Sequence, residues 1–72
     1  MNSAIDILDV VALTEDLPER DLYRGQVGTV VETLAPDVFE VEFSDDEGSA
    51  YASLALNASQ LLVLRYEPSK AG

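Results

Sequence analysis

Between residues 39 and 43 the chain alternates strictly, Phe39-Glu40-Val41-Glu42-Phe43, apolar against acidic. A period of two is what a strand produces when one face is buried and the other is wet. The pattern predicts a strand with Phe39, Val41 and Phe43 inward and Glu40 and Glu42 in water. The polar stretch Ser44-Asp45-Asp46-Glu47-Gly48 then reads as a hairpin loop with glycine at its end. Ala50 to Leu56 follows as the returning strand, its length and position outweighing the helix preference of its alanines. Upstream, Leu8 to Leu13 is rich in strand formers, and Leu17 to Asp21 is polar, carries Pro18 and reads as a loop. Tyr23-Arg24-Gly25-Gln26 is a turn signal. Val27-Gly28-Thr29-Val30-Val31 is a β-branched strand in which Gly28 marks a bulge or a close backbone approach. Leu34-Ala35-Pro36-Asp37 is the next turn. Asn57 to Gln60 suits a single 3-10 turn, Leu61 to Tyr66 a last strand, and residues 67–72 a frayed tail.

Short strands separated by turn signals about every ten residues predict an all-β fold, a small five-stranded barrel or sandwich. Closure hides strand edges that a free sheet would expose. The expected organisation is one domain over residues 1–72, with an ordered core of about 5–66. Its predicted interior is Val11, Leu13, Val27, Val30, Phe39, Val41, Phe43, Leu54, Leu56, Leu61 and Leu64.

The order of these signals resembles known barrels. Asp9 to Leu13, a loop, and then Arg24 to Val31, with its Gly25-Gln26-Val27-Gly28-Thr29-Val30 element, are similar to the first two strands of SH3-like barrels of the translation-factor (KOW) type. A wider resemblance runs from about Ile7 to Leu64, to a family of short bacterial proteins known only as a domain of unknown function. It is carried by Leu8 to Leu13, Asp16 to Glu19, Arg24 to Val31, Glu40 to Phe43 and Gln60 to Leu62. The resemblance implies an SH3-like barrel and brings no catalytic residues with it.

Charge changes the picture of the surface. Fourteen acidic residues against four basic ones give 72 residues a net charge of −10. Such a surface repels phosphate backbones and anionic membranes and favours basic partners, besides keeping a small domain soluble. The chain has neither cysteine nor histidine, which removes disulfides, thiolate ligands and the commonest general base. The longest apolar run, Leu61 to Leu64, is far short of the roughly 18 residues of a membrane span. The N-terminus lacks the basic start and apolar stretch of a signal peptide. A cytoplasmic protein is expected, with no membrane association.

Each candidate site has a plainer reading beside it. Gly25 to Gly28 could cradle an anion, but it lacks the Lys-Ser/Thr of a P-loop. Gly25, Gly28 and Gly48 are therefore read as structural turn residues. Asp45-Asp46-Glu47 offers oxygens to a cation without the spacing of a calcium loop. Glu40 and Glu42 share a strand face, where nothing would raise a carboxyl pKa or exclude water. The serines have no histidine to activate them, and the only lysine is Lys70. No metal, cofactor or catalytic function is expected.

Three functional readings remain. The first is a non-catalytic protein-interaction module that docks a basic partner protein, antitoxin-like or immunity-like. Its partner-binding candidates are Glu40, Glu42, Asp45, Asp46, Glu47, Tyr23 and Tyr51. The second is a KOW-like nucleic-acid-binding barrel, which the net charge disfavours. The third is a homo-oligomer formed through an apolar edge, at Leu61 to Leu64 or Leu54 to Leu56.

Overall fold

The computed structural model describes residues 5–45, 47 and 49–64, with the backbone alone for Ala50 and Tyr51. Five strands form: β1 (Val10–Leu13), β2 (Val27–Ala35), β3 (Val38–Ser44), β4 (Ala50–Asn57) and β5 (Leu61–Val63). Two 3-10 turns accompany them, η1 (Pro18–Arg20) between β1 and β2 and η2 (Ala58–Gln60) between β4 and β5. Every pairing is antiparallel, and the strands lie in the order β4-β3-β2-β1-β5.

A chain-length argument shows that this sheet curls. Its two outer strands, β4 and β5, are joined only by η2. The four residue steps from Asn57 to Leu61 reach at most about 14 Å. In a flat sheet the outer strands of five would stand about 19 Å apart. The sheet must therefore bend until its ends approach, and both ends feed one interior: Leu56 of β4 and Leu61 of β5 belong to the same buried cluster. No ladder joins β4 to β5 among the described residues. The fold is all-β, as expected: five antiparallel strands curled toward a small barrel that is open at one seam, with a 3-10 turn before the last strand.

The registers place one inward row across all five strands. Val63 pairs with Val11, Val11 with Gly28, Gly28 with Phe43 and Phe43 with Ala52. Gly28 is the narrow point of that row. A Cβ there would meet Phe43 Cδ1 and Val41 Cγ1 at 2.8 Å and the Glu42 carbonyl oxygen at 2.9 Å. The expected close approach at Gly28 is thus a side-chain ring laid over bare backbone. Gly25 has the other use of glycine. Its φ of +91° and the Gln26 N–H donating to the Tyr23 carbonyl at 2.9 Å make a type II turn with glycine in its third position.

The polar loop expected over Leu17 to Asp21 is anchored to the core. Leu17 and Leu22 exchange backbone hydrogen bonds of 2.8 and 3.2 Å around η1. Leu22 is fully buried in the core, and Leu17 packs against it. Asp21, at φ +60°, closes that small ring.

Three further interior assignments change. Val27 is 47% exposed and Leu64 42% exposed, because alternation turns both outward: Val27 pairs with Ala12, which pairs in turn with exposed Leu62, and Leu64 lies two residues beyond Leu62. Leu54 is half-buried and packs against the core rather than within it. The remaining eight predicted residues are buried, and Leu22 joins them in the core; Ala12, though only 8% exposed, stays outside that cluster. The first strand begins at Val10 rather than Leu8, which instead lies in a turn at φ +79°. The assignments for Arg65, Tyr66 and residues 67–72 lie outside the described residues.

Candidate interaction surface

The strands carry three charged residues in all: Glu32 on β2, and Glu40 and Glu42 on β3. Their sidedness depends on a bulge. Val30 faces inward opposite Val41, so strict alternation would also turn Glu32 into the core. The register slips at Val31, and Glu32 lies instead opposite Glu40 on the outward face. One extra residue thus keeps a carboxylate out of the interior. It also sets two like charges directly across from one another, which is unfavourable.

Glu40 is half-buried and Glu42 exposed, as their alternation requires. The Ser53 hydroxyl of β4 donates to Glu40 Oε2 at 2.6 Å, diagonally across the ladder, since Ser53 itself pairs with Glu42. This contact was not legible in the sequence, because the β3–β4 register depends on a slip between Phe43 and Ser44. It orders one carboxylate without activating the serine, since neither group is sealed from water.

The other candidates are dispersed. Asp45 caps its own loop, its Oδ1 accepting from the Glu47 and Ser49 N–H groups at 2.9 and 3.0 Å. One of its oxygens is thereby committed to the hairpin. Asp46 and Gly48 lie outside the described residues, as does the Tyr51 side chain. Tyr23 is 48% exposed and sits in the turn on the β1–β2 excursion, away from the strand carboxylates in sequence and register. Among the described residues no three acidic side chains are grouped to hold a metal ion.

The glycine turn offers no anion cradle. The Tyr23 N–H donates to Gln26 Oε1, the Arg24 N–H to Asp16 Oδ1, the Gly25 N–H to the Leu13 carbonyl and the Gln26 N–H to the Tyr23 carbonyl. All four amides of the turn are spent within the chain, so none is left to receive a phosphate.

The two described cations, Arg20 and Arg24, both lie on the β1–β2 excursion. Glu19, Arg20 and Asp21 there face Ala52, Ser53 and Leu54 of β4 across an open groove of about 420 Å³. Sequence reasoning missed this groove because it depends on how η1 folds back along β4. Beyond β4, η2 is held to the residues that follow β1. The Thr14 N–H donates to the Gln60 carbonyl at 3.0 Å, and Gln60 Nε2 donates to Glu15 Oε2 at 2.9 Å.

Among the described residues no polar or charged side chain is buried, and no helix is long and apolar enough to cross a membrane. No curated protein and no solved structure matches the chain. A family model does match, over residues 7–63, a span that begins just before β1 and ends with β5. The chain belongs to the family described as Domain of unknown function (DUF4926).

Proposed function

We propose that this domain is a non-catalytic protein-interaction module that docks a basic partner protein, in the manner of an antitoxin or immunity protein. One observation carries the reading. Every charge on the strands is a carboxylate, and Glu32, Glu40 and Glu42 stand together on the outward face of β2 and β3. Both described arginines lie on the β1–β2 excursion, Arg20 across the open groove from Ser53, so the strands themselves carry no cation. A cluster of like charges costs the free domain stability, and a cationic partner removes that cost.

The test is affinity purification at low and moderate salt, followed by titration calorimetry on whatever basic protein is recovered. Binding that weakens as salt rises, and weakens again in Glu40→Gln/Glu42→Gln, supports the reading. Affinity indifferent to both salt and that double substitution would remove it. The nucleic-acid alternative is tested by titrating labelled RNA at low salt, where a phosphate-binding surface is strongest.

A further inference from the structure

The outward face has a second half that charge alone does not explain. One residue over from the inward row runs an outward one. Val10 pairs with Thr29, Thr29 with Glu42 and Glu42 with Ser53. At its other end the Leu64 N–H donates to the Val10 carbonyl at 2.8 Å. The row therefore passes from Leu64 and Val10 through Thr29 to Glu42, alkyl groups giving way to a carboxylate. Beside it Leu62, Ala12 and Val27 form a second outward row. Ala12 is a small floor, 8% exposed, between Leu62 at 57% and Val27 at 47%. β1 and β5 carry no charged residue at all.

We infer that these two halves form one docking surface, and that its occupant is a basic amphipathic helix of a partner protein. The inference rests on the interaction-module reading above and specifies the partner's shape. Val10 and Glu42 stand two strands apart, about 10 Å, close to the diameter of an α-helix with its side chains. A helix lying over Thr29 sets its apolar stripe on Val10, Val27, Leu62 and Leu64. Its lysines or arginines then fall over Glu40 and Glu42. An apolar patch bordered by charge of one sign selects a ligand with both features. A second copy of this chain supplies the apolar part but brings its own glutamates and a further net charge of −10. Anionic membranes and nucleic acids supply the wrong charge.

The probe is a synthetic helix of about 18 residues, five turns, with leucines along one face and lysines on the other. Its control is a peptide of equal charge with serine in place of leucine. Calorimetry and amide chemical-shift mapping are run on the intact protein and on two double variants, Val27→Thr/Leu62→Gln and Glu40→Gln/Glu42→Gln. The leucine peptide is expected to bind at least about tenfold tighter than its control, a difference of about 1.4 kcal/mol. Its shifts should centre on Val10, Val27, Leu62 and Glu42. Val27→Thr/Leu62→Gln should bring the two peptides to within about twofold of each other, and the glutamine pair should weaken both. Equal affinity for both peptides in the unaltered protein overturns the inference and leaves the acidic docking reading standing. Failure of both peptides to bind at low salt overturns both readings. Self-association of the free protein in sedimentation, abolished by Leu62→Gln, assigns the patch to a second copy and overturns the helix.

Discussion

On β3 the outward residues include Glu40 and Glu42, whereas on β1 and β5 they are Val10, Ala12 and Leu62. The inward residues of the two regions are of one kind: Phe39, Val41 and Phe43 in the first, Val11, Leu13 and Leu61 in the second. Burial therefore drives both regions alike, but only one of them is told which side to bury. Slipping β3 by one residue would carry two carboxylates into the core, at a desolvation cost no pairing there repays. Slipping β1 by one residue exchanges Val11 and Leu13 for Val10 and Ala12, alkyl for alkyl. The register of β1 and β5 must therefore be fixed from outside the strands. The structure shows the fixtures: Gly28 under Phe43, Leu22 plugged into the core, and η2 held to Thr14 and Glu15.

The strongest way to break the comparison is to empty the side that charge has specified. Phe43 is fully buried and sits in the one row that crosses every strand. Phe43→Ala should cost about 3–5 kcal/mol, read as a fall in the urea midpoint with the slope retained. A cost under about 1 kcal/mol would mean that the row is not the spine of the barrel. Gly28→Ala tests the fixture that the two regions share. Its Cβ has backbone, not only flexible side chain, within 2.9 Å, so β2 or β3 must move. A loss of about 1–3 kcal/mol is expected, with amide shifts spreading into β1 as well as β3. Changes confined to β3 would separate the two regions again.

The same contrast explains what was legible in the sequence. The β3 strand, its inward residues and its outward glutamates could be read directly, because alternation of alkyl and carboxylate has one interpretation. Val27 and Leu64 were misplaced for the opposite reason. In Val27 to Val31 and Leu61 to Leu64 neighbouring positions are apolar on both faces, so parity has no marker. Leu22 was lost to its polar surroundings, since a lone leucine between Asp21 and Tyr23 gives no period. Of the candidate site, Glu40 and Glu42 were legible. Glu32 joined them only through a bulge at Val31; of the apolar half, Leu62 and Leu64 fell within the expected apolar edge Leu61 to Leu64, whereas Val10 and Val27 were hidden in strands that carry apolar residues on both faces.

The carboxylate side should itself be improvable. Glu32 and Glu40 lie directly opposite one another, and Glu32→Gln removes that repulsion while leaving the Ser53–Glu40 hydrogen bond in place. A gain of about 0.2–1 kcal/mol is expected at low salt, shrinking as sodium chloride is raised because the pair is screened. The gain would be read from thermal midpoints at two ionic strengths. A loss would mean that Glu32 is held by favourable contacts instead of facing a like charge.

The smallest expected effect bears most directly on the apolar side. Val27 was expected in the interior but strand alternation turns it outward, and Val27→Thr keeps the β-branched shape while adding a hydroxyl. If Val27 belonged to the interior, that hydroxyl would be buried without a partner, at a cost of about 1–3 kcal/mol. On the outward face, beside Ala12 and open to water, it should change stability by no more than about 0.5 kcal/mol. Urea titration separates these two results. A near-zero change says that Val27 contributes little to holding the free domain together, and that its exposed alkyl surface is available to a partner.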